Sequence, residues 1–294
     1  VGKSSEYDFV WDRETGEFTY LDGNSSPEQL PEMKDCWYYE GTKTLEERNC
    51  LLEKYREVIS ADLCEMNLVS NVTGMVPSSP FLSYPIAKTS ELANIFIPKE
   101  DGGILEKTGV VDVFYNLRGK DEASFCGGEF IIVKCENEKM WDILKGKGHV
   151  MSKNGKYCCI YYPYHYMGLE TPVSILLGDL MGIGTHPECR QVSVMAGVAQ
   201  RDLPKGTVLK VEGHHHSIDG LTPELLEPCV RTIVMRIALQ AVMIVGVLLA
   251  VHSFIGSNKL LDLAVITYMS APATFSMQTF LKREDGSAYV STTI

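Results

Sequence analysis

The sequence has no run of lysine and arginine: 27 basic side chains stand against 38 acidic ones, for a formal net charge of −11. Binding a polyanion needs a concentrated positive face, so nucleic acid and anionic membrane surfaces are poor partners. A small anionic substrate is not excluded, because its site needs only a few local cations. No CxxC joins any of the nine cysteines, which removes the basis for a zinc knuckle or a thioredoxin-type couple. Their odd number and scatter, with Cys158-Cys159 the only close pair, read as reduced thiols of a cytoplasmic protein. No signal peptide is visible, and Asn24-Ser25-Ser26 and Asn71-Val72-Thr73 accordingly read as chance matches to a glycosylation triplet. Walker loops and G-x-S-x-G elbows are missing. Gly146–Met151 and Gly182–Pro187 each carry G-x-G without the third glycine of a dinucleotide fingerprint. The chain also lacks an initiator methionine, and Val1-Gly2-Lys3 reads as the exit of a β-strand.

What remains is ordinary for a folded protein, with 45% apolar and 22% charged residues. Residues 8–22 alternate apolar and polar around a hairpin at Thr15-Gly16. Thr44 and Glu47 have capping-box spacing, and Leu45, Leu52, Tyr55 and Ile59 fall on one helical stripe. A second helix is expected from Asp62 to Thr73, stopped at Gly74. Beyond Gly109 the texture turns β-rich, with a short helix around Lys139–Lys147 and a hairpin at Asn154-Gly155. Thr171-Pro172 is expected to open a helix running to Leu180. Pro204 and Gly206 set a turn in a small all-β module. These elements predict an α+β fold, with a mixed domain over residues 1–190 and a β module over 191–294. Within the latter, residues 237–256 form an apolar run near the ~20 residues that cross a bilayer as a helix.

Few residues advertise chemistry. Glu65 is an acidic side chain in an apolar helical stretch, either solvated or held in a polar site. His165 lies between a strand and a helix start, where it is either a packed histidine or a functional one. Lys3 is a terminal lysine unless something gathers around it. His214, His215 and His216 are adjacent, so in a strand at most two share a face with one ion, and no metal site is assigned.

Taken together, "GKSSEYDFVWDRETGEFTYLD", "YPIAKTSEL", "EDGGILEKTGVVDVFYNLRGKDEASFCGGEF", "GKGHVMS", "YYPYHYMGLETPVSILL" and "GHHHSIDGL" resemble one family. It is the SAF-domain oxidoreductases, often labelled predicted homoserine dehydrogenases, which include deoxyxylulose phosphate reductoisomerase-like enzymes. The resemblance is collinear from Val1 to about Leu226. It implies a missing N-terminal Rossmann domain for NADP, a central catalytic and dimerisation domain, and a SAF (β-clip) module. It also places Lys3 at the strand exit beside nicotinamide and substrate, as a cofactor-binding and catalytic lysine. Hydride chemistry at a carbonyl asks for a cationic donor, and a lysine of lowered pKa answers that need. Glu65, Asp112 and His165 are then candidates for substrate binding and proton relay. Tyr162 stands where the family has an arginine, which puts an anion contact there in doubt.

The expected activity is therefore that of an NADP-dependent oxidoreductase or reductoisomerase on a polar hydroxy or keto substrate, with a sugar phosphate in isoprenoid precursor synthesis as one version. A non-catalytic module binding a small polyol is the alternative. The protein is expected in the cytoplasm as a homodimer without membrane or nucleic-acid partners; its dependence on a divalent metal stays open.

Overall fold

The β-rich segment beyond Gly109 becomes the centre of the fold. The structure is a computed structural model that describes residues 1–269 apart from 135, 185, 187–188, 213–216, 228–229 and 257, with backbone alone at some positions, 231–240 among them. The chain divides into two units, Val1–Met195 with Ala199–Leu226, and Ala196–Val198 with Glu227–Ile294.

In the first unit, β1 (Gly2–Ser4), β2 (Phe9–Trp11), β3 (Glu17–Tyr20) and β4 (Glu28–Gln29) precede the helices α1 (Thr42–Leu51) and α2 (Ser60–Thr73). Short strands β5 (Val76–Pro77) and β6 (Ile86–Ala87) and the one-turn helix α3 (Leu92–Ile95) lead to β7 (Val110–Gly119). Then come β8 (Glu129–Lys134), α4 (Glu138–Gly146), β9 (Val150–Met151), β10 (Tyr157–Tyr162) and α5 (Met167–Met181). One mixed sheet runs β4-β3-β2-β7-β1-β8-β10-β9, with β5 and β6 also paired to β7. β7 is parallel to β1, β2, β5 and β6, whereas the β2–β3 and β8–β10 pairs are antiparallel.

Burial on both faces explains why β7 reads as a nearly unbroken apolar run. Val111, Val113, Tyr115 and Leu117 join a core with Phe9, Phe18, Leu63, Met66 and Tyr84. Val110 and Phe114 point the other way, into a core with Leu92, Phe96, Phe125 and Phe130. Strand alternation therefore puts Asp112 and Asn116 on the second face.

Local expectations hold where turn chemistry is strong. The Phe9–Tyr20 hairpin turns through Gly16, the β9–β10 hairpin through Gly155, and α2 ends on Gly74 in the left-handed region. The first helix differs. Gly41 is its N-cap, and the Thr44 hydroxyl instead accepts the Glu40 amide at 3.2 Å. Nor does the helical stripe continue to Ile59. α1 stops at Leu51, a 3-10 turn covers Glu53–Tyr55, and Arg56 is extended. Tertiary contact supplies the reason: the Tyr115 hydroxyl accepts the Glu57 amide at 2.7 Å and donates to the Glu57 carbonyl, occupying both backbone groups a helix would use. α5 also starts earlier than expected and carries Pro172 inside it. Pro172 deletes only the bond to the Gly168 carbonyl, which lies on an exposed stretch where water can replace it.

Strands β11 (Val194–Ala199), β12 (Val211–Glu212), β13 (Ser217–Ile218) and β14 (Leu221–Leu226) follow α5, and β12 pairs antiparallel with β13. The turn at Pro204 forms, with the Thr207 amide on the Pro204 carbonyl at 3.0 Å, but its flanks are not strands. In the second unit the chain is helical where a β module is expected. α6 (Val230–Ile255) takes up most of the apolar run and meets α7 (Lys259–Met269), joined by His252 and Asp262 at 2.7 Å. Among the described residues no helix is long and apolar enough to cross a membrane. His214–His216 and the tail 270–294 lie outside the described residues.

Candidate active site

Lys3 sits on β1 opposite Val113, so its side chain shares a face with the Val111–Leu117 core. α2 packs on that face, burying Leu63 and Met66. Asp62 and Glu65, three residues apart, lie on one side of α2. Both reach Lys3. Its Nζ stands 2.9 Å from Asp62 Oδ1 and donates a hydrogen bond to Glu65 Oε2. The three side chains are 9%, 1% and 54% exposed, in the order Lys3, Asp62, Glu65, so one carboxylate is interior and the other meets water.

The interior carboxylate is held by neutral donors. Asp62 Oδ2 accepts from Ser5 Oγ at 2.8 Å and from the Tyr84 hydroxyl at 3.0 Å. Oδ1 has the ammonium as its ionic neighbour but no aligned hydrogen bond. Burial pushes the Asp62 carboxyl upward, opposed by Lys3 and the two hydroxyls. For Lys3, burial works downward, but the Asp62 and Glu65 carboxylates outweigh it and hold the ammonium above its ordinary value. This reverses the expectation of a lysine with lowered pKa. Lys3 is a charged donor at neutral pH.

The glycine before Lys3 is dictated by packing. A Cβ on Gly2 would lie 2.5 Å from the Asp112 carbonyl oxygen and 2.7 Å from the Phe130 ring. Only glycine lets β1 close on β7 and β8 while Lys3 faces α2.

Beside this group the loop from Leu82 to Tyr84 is strained. Leu82 and Tyr84 have φ of 58° and 44°, a left-handed region costly for side chains of their size. Asp112 clamps the residue between them: Ser83 donates its amide to Oδ1 at 2.7 Å and its hydroxyl to Oδ2, while the Val113 amide adds a bond of 2.8 Å. Burial raises the Asp112 carboxyl, and the Ser83 bonds oppose the shift. Because Gly2 aligns with Asp112 and Lys3 with Val113, the Asp112 and Lys3 side chains lie on opposite faces of the sheet.

The structure thus joins Glu65 directly to Lys3 and relates Asp112 to it through the Ser83-Tyr84 loop. It does not join His165. That ring lies between β10 and α5 with Nδ1 3.8 Å from Glu170 Oε2, and among the described residues no bond links it to Lys3, Asp62 or Asp112. Sequence reasoning missed Asp62, Ser5 and Tyr84. The one legible signal was the spacing of Asp62 from Glu65, because Ser5 and Tyr84 are brought in by chain crossings.

Among the described residues no cluster of three or more His, Cys, Asp or Glu side chains could hold a metal ion. The glycine segments do not fit a dinucleotide either. Gly146 and Gly148 lie at the C-terminal end of α4, and Gly182 follows the last turn of α5. Those helix ends present carbonyls and partial negative charge, whereas a pyrophosphate needs the amides of an N-terminus. What the Lys3 group offers is a buried ammonium that can stabilise and protonate an oxygen gaining negative charge, with Glu65 connecting it to solvent.

No curated protein matches the chain. Residues 59–171 match a family model described as the catalytic domain of oxidoreductase DRL. The match takes in Asp62, Glu65, Asp112 and His165 and begins after Lys3. It supports an oxidoreductase catalytic domain in this chain, and with it an enzyme of the oxidoreductase class.

Proposed function

We propose that the chain is the substrate-side catalytic portion of an NADP-dependent oxidoreductase or reductoisomerase acting at a polar hydroxy or keto carbon. Lys3 would be its proton donor. The observation that carries the reading is the Lys3-Asp62-Glu65 group, a charged ammonium on the interior strand β1 held by two carboxylates of the segment that matches an oxidoreductase catalytic domain. Asp62 fixes the ammonium in place. Lys3 hydrogen-bonds and then protonates the substrate oxygen, and Glu65, half in water, restores the proton. Asp112 is a positioning residue, through Ser83.

A homoserine dehydrogenase-like or sugar-phosphate substrate, a SAF module over residues 191–294 and a homodimer belong to the same proposal. So does a cytoplasmic setting, supported by the free state of Cys36, Cys50, Cys64, Cys126, Cys158, Cys159 and Cys189. His165 stands in it as a substrate contact on the loop before α5.

The experiment is an NADPH-oxidation assay of the native polypeptide against a panel of keto-sugars, keto-acids and aldehydes, with Lys3→Met alongside. Loss of a proton donor predicts a fall of about 10²–10⁴ in kcat for Lys3→Met. Residues 1–294 by themselves are expected to bind NADPH poorly, since their described glycine segments offer no phosphate cradle. A full rate in Lys3→Met would end the assignment. No turnover of any panel member, together with binding of a small polyol, would favour the non-catalytic alternative.

A further inference from the structure

The break between α1 and α2 opens a cavity of about 210 Å³. Arg56, Glu57, Leu82, Ser83, Tyr84 and Tyr115 are among the residues that line it. Arg56 is unusual there. Its Nε is buried without a hydrogen-bond partner, and among the described residues its guanidinium makes no ion pair. Arg56 as a whole is only partly buried, so its guanidinium is a cation beside the cavity with no internal partner among the described residues, open to an anionic ligand. The wall opposite is the strained loop, where Leu82 and Tyr84 hold left-handed conformations. Strain of that kind persists where surrounding structure has a use for the geometry.

The cavity is also tied to the Lys3 group. Tyr84 is common to both: it is among the residues lining the cavity, and its hydroxyl donates to Asp62, the ion-pair partner of Lys3. From these observations we propose that the Arg56 cavity is an anion subsite that takes the carboxylate or phosphate monoester of the substrate. The planar fork of a guanidinium matches either group with two parallel hydrogen bonds. Glu57, exposed, supplies the opposing charge on the same lining. Recognition therefore rests on the fork's geometry rather than on net charge. The identity of the anion as part of the oxidised or reduced substrate rests on the reading above; the anion site itself does not.

The test is a titration of the full chain with inorganic phosphate and, separately, acetate, followed calorimetrically at low ionic strength. Saturable binding is expected for at least one. Arg56→Gln should weaken it tenfold or more, the ratio typical of a lost charge-assisted bond. Arg56→Lys should retain part of it, and Glu57→Gln should tighten it. Lys3→Met should bind as well as the unaltered chain, which separates this site from the Lys3 chemistry. A preference for phosphate assigns a phosphate monoester, and a preference for acetate a carboxylate. Among the described residues Arg56 makes no side-chain bond to the fold, so Arg56→Gln should keep its urea midpoint. Unchanged affinity in Arg56→Gln, loss of binding in Lys3→Met, or no saturable binding of either anion would each overturn the proposal. Loss of turnover in Lys3→Met with anion binding intact leaves it standing.

Discussion

Replacing Asp62 by asparagine removes one charge and almost no volume. The amide cannot satisfy its surroundings in either orientation. With its oxygen toward Ser5 and Tyr84, which now donate at 2.8 and 3.0 Å, its NH₂ meets the Lys3 ammonium. Flipped, the NH₂ meets the two hydroxyls. Breaking a buried ion pair by removing one partner costs about 3–5 kcal/mol. Glu65 remains beside Lys3, but its exposed carboxylate offsets less than 1 kcal/mol or so. The expected loss is about 3 kcal/mol at pH 7, or roughly 1–3 M in urea midpoint, read from the fluorescence of buried Trp11 and Trp37.

The pH dependence gives a second check. The Lys3 pKa is raised in the folded chain, so its contribution is complete below the ordinary value of 10.5 and disappears as pH rises through the folded value. Burial raises Asp62 above its ordinary 3.8, so that group's own contribution is largest in acid and is lost as pH rises through its folded value. The gap between the two proteins should therefore narrow as pH rises above 10.5. Equal midpoints at pH 7, or a gap that widens with pH, would refute the pairing.

Two further substitutions test the frame around the site. Gly2→Ala puts a methyl 2.5 Å from the Asp112 carbonyl and 2.7 Å from the Phe130 ring. A loss of about 2–3 kcal/mol in urea unfolding is expected, and a neutral result would show that β1 can move away from β7. Arg48→Met empties a fully buried guanidinium site that serves the Cys36, Trp37 and Ile86 carbonyls and both oxygens of Glu91. It should cost about 3–5 kcal/mol, and adding Glu91→Leu should recover only part, because the Lys88 amide also uses Glu91 at 2.9 Å. Full recovery in the double-mutant cycle would remove Lys88 from the network.

Lys3, Glu65, Asp112 and His165 were all legible as candidates, yet nothing in their spacing said which would meet. Lys3 and Glu65 meet because β1 lies beside β7 under α2; the same register turns Asp112 to the other face. The early end of α1 had no local signal, since its apolar stripe continues through Tyr55 and Ile59. A single hydroxyl, that of Tyr115, takes the Glu57 backbone out of the helix and leaves Arg56 lining a cavity.

The α+β class, the turns at Gly16 and Gly155 and the end of α2 at Gly74 were legible from the residues alone, because left-handed glycines and apolar periodicity act within a few residues. Tertiary structure alone decided how β7 is paired, which charges surround Lys3, and that its ammonium is held above rather than below its ordinary pKa. Those outcomes depend on groups some sixty residues apart, Lys3 on Asp62 and Glu65, whose energies exist only once the chain has closed and water has been excluded from between them.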